Sequence, residues 1–126
     1  MKITAVLTMD RIEESVRFWT DKAGFEVTVS VPHGDSMGFA ILQKGDAELM
    51  LQSNPSVAGD IPQLAGFARA AKSFLFVEVD DFDGTVSRLE GAPVAFPVRE
   101  TPYGMKELGV FEPGGHVAVF ACRLAQ

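Results

Sequence analysis

The sequence predicts an α+β fold made of two tandem βαβββ modules whose curved mixed sheets would flank a cleft. Three observations predict it. First, the chain repeats itself about seventy residues on: Val6-Leu7-Thr8-Met9-Asp10 is matched by Phe76-Val77-Glu78-Val79-Asp80. Second, the apolar stripe that follows recurs at identical spacing, as Ile12, Val16 and Trp19 and then as Phe82, Val86 and Leu89. Third, the hairpin glycine Gly45 recurs at Gly115. A repeat of this length is a whole supersecondary unit, so the fold is read as two copies of one sheet element.

The elements follow in order. Residues 2–9 alternate, with Ile3, Ala5, Leu7 and Met9 on one face and Thr4, Val6 and Thr8 on the other, which is a strand. Asp10 is expected to cap a helix, with Glu13 completing a capping box. Ile12, Val16, Trp19 and Ala23 form its apolar stripe, and Gly24 takes the left-handed position at its end. Residues 25–31, 38–43 and 48–52 read as three strands. They are joined by turns at Pro32-His33-Gly34-Asp35 and Lys44-Gly45-Asp46. The second module opens with a strand over 73–79. A helix over 82–90, capped by Asp80 or Asp81 and ended by Gly91, follows it. Strands over 94–98, 105–111 and 117–123 complete the module, with Glu112-Pro113-Gly114-Gly115 as the last hairpin turn.

This organisation gives one domain over residues 1–126, with module one at 1–52, a linker at 53–72 and module two at 73–126. The linker holds Pro55, Gly59, Pro62 and Gly66. Such a long connection in a compact domain is either functional or mobile. Residues 63–71 read either as a short helix or as plain crossover.

Composition narrows the function. With 47% hydrophobic residues and ten Phe, the chain can bury a real core. A net charge of −6 argues against nucleic acid, whose phosphates need a basic patch, and against anionic lipid. No apolar run approaches the roughly 18 to 20 residues that span a bilayer. Met1-Lys2-Ile3-Thr4 opens a strand pattern directly, with no signal-peptide pattern ahead of it, and Cys122 has no partner for a disulfide. A cytoplasmic protein is expected. Cys122 lies in an apolar strand with no CxxC partner and reads as a small hydrophobe.

Glu14-Ser15-Val16-Arg17-Phe18-Trp19 with Ala23-Gly24-Phe25-Glu26-Val27, and Tyr103-Gly104-Met105-Lys106-Glu107-Leu108 with Glu112-Pro113-Gly114-Gly115, carry a family resemblance. Over essentially the whole chain the sequence resembles the vicinal-oxygen-chelate superfamily. That superfamily includes glyoxalase I, extradiol dioxygenases, fosfomycin-modifying enzymes and bleomycin-resistance binding proteins. The resemblance implies the glyoxalase/bleomycin-resistance fold and, in the metalloenzymes, ligands on four strands. Those positions fall on Thr4 (or its neighbour Ala5), Glu48, Phe74 and Val119 (or Ala118). Only Glu48 among them is a cation ligand, and a divalent ion needs several donors at once. No metal and no cofactor are therefore expected. His33 reads as a turn residue, and His116 points away from the cleft by alternation from Val119. No nucleophile-and-base arrangement and no phosphate-cradling loop is present, so no catalytic residue is assigned.

Alternation also sorts the faces. Leu49, Leu51, Leu75, Val77, Val79, Ala118, Phe120 and Cys122 would pack beneath the helices. Thr4, Val6, Thr8, Glu48, Met50, Gln52, Phe74, Phe76, Glu78, Val117 and Val119 would face the cleft. Phe74 and Phe76 read either as core or as a stacking platform for a flat ligand. Glu48, Glu78 and Glu107 would set a negative potential there, unless they are solvated or paired with Arg99 and Lys106. Trp19 reads as core. Thr4, Glu48, Met50, Phe74, Phe76, Tyr103, Glu107 and Val119 are the candidate ligand-binding residues.

The expected function is metal-independent binding of a hydrophobic or aromatic small molecule, neutral or cationic, like the bleomycin-resistance sequestering proteins. The alternative is a glyoxalase- or dioxygenase-like enzyme with an atypical metal site. A partner-binding module with an empty cleft is a third reading. By analogy with single-chain members of the family, a homodimer is expected.

Overall fold

The structure, a computed structural model, describes residues 1–125. The chain divides into two compact units, Met1–Lys72 and Ser73 onward. Each contains one four-stranded mixed sheet with helices, and neither sheet closes into a barrel.

In the first unit the order is β1 (Ala5–Met9), α1 (Glu13–Asp21), β2 (Glu26–His33), β3 (Ser36–Lys44) and β4 (Ala47–Ser53). The sheet order is β1-β4-β3-β2, with β1 parallel to β4 and the remaining pairs antiparallel. Leu7, Met9, Ala40, Leu42, Leu49 and Leu51 are buried together with Ile12, Val16 and Trp19 of α1. Trp19 is 1% exposed and stands edge-on to Phe18 and Phe25, at centroid distances of 5.3 and 5.6 Å. It is core, as its place on the stripe predicts.

Two details depart from expectation. The first strand starts at Ala5 rather than at residue 2, because its parallel ladder begins where Ala5 meets Leu49. Asp10 does not cap α1. The N-cap is Ile12 with no side-chain bond, while Asp10 accepts a hydrogen bond from Asn54 Nδ2 at 2.9 Å and Glu13 accepts one from the Met37 amide at 3.1 Å. Both carboxylates of the expected capping box are thus used by tertiary partners. The helix does end on Gly24, at φ 78°, where the Phe25 amide reaches back to the Trp19 carbonyl.

The segment read as a linker is largely helical. It forms α2 (Asn54–Asp60), a single 3-10 turn (Pro62–Leu64) and α3 (Ala65–Ala70), all inside the first unit. The Ser53 hydroxyl caps α2 by accepting from the Ser56 amide, and Pro55 sits in the first turn, where its missing N–H costs nothing. Thr8 Oγ1 donates to the Ala68 carbonyl at 2.7 Å and ties α3 to β1.

The second unit repeats the order: β5 (Phe74–Glu78), α4 (Phe82–Arg88), β6 (Val94–Glu100), β7 (Met105–Phe111) and β8 (Val117–Arg123). The sheet order is β5-β8-β7-β6, with β5 parallel to β8. Asp81, not Asp80, caps α4 by accepting from the Gly84 amide at 3.0 Å. A Cβ on Gly84 would collide with that Asp81 carboxylate, which explains a glycine inside a helix. The helix stops at Arg88, two residues short of expectation, and Gly91 turns the chain at φ 90°. Phe82, Leu89, Leu108, Val110, Ala118 and Phe120 are buried. His116 is buried with them: its Nδ1 accepts from the Ser73 amide at 3.1 Å, and its own amide donates to Glu112 Oε1 at 3.1 Å.

The outer antiparallel strands are irregular. In β2 the register shifts between Val27 and Val29 and again between Val31 and Pro32. In β6 it shifts between Val94 and Phe96 and between Phe96 and Arg99. Each shift is a bulge, which re-aims the side chains that follow.

Candidate functional site

The candidate residues fall into two groups, one on the open sheet face of each unit. On the first unit, Thr4 and Glu48 are joined: Thr4 Oγ1 donates to Glu48 Oε1 at 3.0 Å. Glu48 Oε2 accepts from Gln43 Nε2 at 2.6 Å and from Lys2 Nζ at 3.0 Å. These hydrogen bonds, Lys2 first, then Gln43 and Thr4, hold the Glu48 carboxyl below the usual carboxylate range. Met50 lies two residues along, half-buried, in a lateral row with Val6 and Ile41.

On the second unit the register gathers Phe74, Phe76, Tyr103, Glu107 and Val119. Phe74 lies beside Val117, and Val117 beside Phe111. Phe76 lies beside Val119, and Val119 beside Gly109, whose other neighbour is Phe96. Phe74 is 77% exposed and Phe76 51%, so neither is core packing in this structure, whereas Val119 is buried. A Cβ on Gly109 would overlap the Phe96 ring, so the glycine lets that ring lie against the sheet. The lateral neighbour of Phe74 is therefore Val117, with Val119 one row further on.

Tyr103 and Glu107 meet at the end of this face. The Tyr103 hydroxyl donates to Glu107 Oε2 at 2.9 Å. Arg99 puts both Nε (3.1 Å) and Nη2 (2.9 Å) on Glu107 Oε1. The Arg99 guanidinium also stands over the Phe96 ring, 5.4 Å from its centroid. Tyr103 is positioned by a tight turn, in which the Thr101 hydroxyl accepts from the Met105 amide and Gly104 adopts φ 85°. The three carboxylates expected to set a negative potential are each paired with a base: Glu48 with Lys2, Glu107 with Arg99, and Glu78 with Arg123 at 3.7 Å. Lys106 instead stands over the Phe82 ring.

Phe96, Arg99 and Phe111 belong to this face and were not among the sequence candidates. Strict alternation would put Phe96 and Arg99 on opposite faces. The bulge at Pro97-Val98 puts both on one, since three residues of β6 span only two of β7. Phe111 carried a signal: it alternates in phase with Glu107.

The residues at the four positions where the resemblance implies metal ligands do not suit a divalent ion. Phe74 and Val119 (or Ala118) have no donor atom, the Thr4 hydroxyl is engaged with Glu48, and both Glu48 oxygens already accept hydrogen bonds from protein. Among the described residues no group of three His, Cys, Asp or Glu side chains is placed to hold a metal. No helix of the described residues is long and apolar enough to cross a membrane.

A family model described as the Glyoxalase/Bleomycin resistance protein/Dioxygenase superfamily matches residues 3–120. No curated protein matches by sequence. Solved structures share the fold. A lactoylglutathione lyase from Agrobacterium tumefaciens is similar at TM-score 0.77 and 17% identity, over 97% of this chain and 92% of its own. The bleomycin-binding protein of bleomycin-producing Streptomyces verticillus, solved with copper(II)-bleomycin, is similar at TM-score 0.59 and 23% identity, over 100% and 97%. The antibiotic-binding protein TnmS3 from Streptomyces sp. CB03234 is similar at TM-score 0.66 and 17% identity, over 98% and 97%.

Proposed function

We propose a function from one premise: this chain belongs to the Glyoxalase/Bleomycin resistance protein/Dioxygenase superfamily. Within it, the chain acts as a metal-independent small-molecule binding protein, one glyoxalase-type domain that sequesters its ligand without transforming it. The observation that carries this reading is the open face of the second unit, where exposed Phe74 and Phe76 stand at and beside positions that metalloenzymes of the family give to metal ligands. An aromatic face offers stacking where a metal site would offer donors. The ligand is a hydrophobic or aromatic molecule, neutral or cationic. Pairing of Glu48, Glu78 and Glu107 with bases favours the neutral one. Fold neighbours named for antibiotic and bleomycin binding agree with this reading. The runner-up, a metal-dependent enzyme, lacks donors at those positions. The lone Cys122 and acidic charge suit the cytoplasm.

Calorimetry with matched neutral, cationic and anionic naphthalene derivatives tests this. The parent binds the neutral or cationic member, and Phe76→Ala weakens binding by about tenfold, as loss of a stacked aromatic does. The purified protein retains no stoichiometric Zn, Ni, Mn or Fe by elemental analysis. Preference for the anion, or a stoichiometric metal lost in Glu48→Ala, overturns the reading.

A further inference from the structure

We infer that Arg99 is a ligand-recognition residue, donating to a carbonyl-type oxygen on a flat aromatic molecule laid over Phe76; this deepens the proposed function and rests on it. The argument begins with Glu107. Its side chain is 3% exposed, and a buried carboxylate on a sheet face is retained only where its oxygens are satisfied. Here both are: Arg99 serves Oε1 and Tyr103 serves Oε2. The carboxylate is spent on its own protein and is a positioning group for its two partners.

Arg99 is not spent. Its side chain is 53% exposed, and its Nη1 donates to no described residue. The guanidinium is held twice, by the fork on Glu107 and by the Phe96 ring beneath it. A cation fixed in this way loses little freedom when it donates again, unlike a free surface arginine. The bulge that turns Phe96 and Arg99 to the same face is the kind of irregularity that re-aims side chains. Gly109 contributes by lacking a side chain, so the row from Phe76 through Val119 to the Phe96 ring stays low.

The chemistry of the occupant follows. Phe76 provides an apolar face for a planar ring system, while the Phe96 ring carries the Arg99 guanidinium and seats it on the same face. The outward N–H groups of Arg99 provide donors at one end of that row. The positive charge behind them is offset by Glu107, so the site presents donors without net charge. It selects a neutral acceptor, such as an aromatic ketone or quinone oxygen, over a hydrocarbon of the same shape.

The test compares naphthyl methyl ketone with ethylnaphthalene by fluorescence titration of the parent, Arg99→Met and Arg99→Lys. Arg99→Lys keeps a positive partner for Glu107 and guards against misfolding. The parent is expected to prefer the ketone by about tenfold, the size of one added hydrogen bond to a charged donor. That preference collapses toward unity in Arg99→Met and falls in Arg99→Lys, through loss of ketone binding that exceeds any change in ethylnaphthalene binding. Phe76→Ala weakens both probes alike. Equal binding of the two probes by the parent, or a preference that survives Arg99→Met, overturns the role of Arg99 and leaves the binding function standing. Binding of neither probe removes both. So does finding that Phe74→Ser abolishes self-association in a parent that binds neither probe, since a second copy then owns the face.

Discussion

Three donors converge on the Glu48 carboxylate, and protonation would weaken all of them. Glu13 is likewise held below the usual carboxylate range, chiefly by the Met37 amide. A carboxyl whose folded pKa is depressed contributes stability that is complete above its unfolded value and is lost as pH falls through the folded one. With an unfolded value of about 4.3, the loss begins near there and grows toward lower pH. The urea midpoint should therefore fall between about pH 5 and about pH 3, and less steeply in Glu48→Gln. Urea melts across that window decide it, and identical slopes would remove Glu48 from the account. Gly109→Ala should cost about 1 to 3 kcal/mol, because its Cβ must displace the Phe96 ring. Thermal unfolding measures that cost. At this scale the sequence showed much of the face. Phe74 and Phe76 were placed on it by residue type and alternation, and Glu107 was named from its charge alone. Arg99 was named as a partner for the carboxylates, but its place on this face, with that of Phe96, was hidden, because a bulge breaks the count on which alternation depends.

Among the elements, α4 makes the sharpest prediction. Gly84→Ala gains about 1 kcal/mol of helix propensity but evicts the Asp81 cap, itself a contribution of about 1 kcal/mol. In the parent the two effects should nearly cancel. In an Asp81→Ala background, where no cap remains to lose, Gly84→Ala should stabilise by about 1 kcal/mol. A double-mutant cycle in urea reads the difference, and equal effects in both backgrounds would show that the cap and the glycine are independent. Strand and helix order was legible because each module repeats one hydrophobic rhythm. Helix α2 was not, since Pro55 and Gly59 read as loop residues. What defines α2 is local: the Ser53 cap with a proline in the first turn. The α1 cap failed for the opposite reason, because Asp10 and Glu13 found partners far away in sequence.

For the whole molecule we expect a homodimer, on the ground that β1 and β5 each end a sheet and an open sheet edge favours covering. Sedimentation at micromolar concentration should give twice the 13.6 kDa chain mass, and a monomer there refutes it. The irregular outer strands bear on how such association can proceed. β2 and β6 each end a sheet, and each is broken by two register shifts and contains a proline, Pro32 or Pro97. A regular edge would offer a ladder of free amides and carbonyls to any passing strand, the first step toward fibrils. These two edges offer a ladder with rungs missing. The same bulge that brings Arg99 beside Phe96 therefore also makes the β6 edge a poor template for a passing strand. Restoring the rungs with Pro32→Val and Pro97→Val should raise thioflavin fluorescence on prolonged incubation, and a lag time equal to the parent's would refute that protective role.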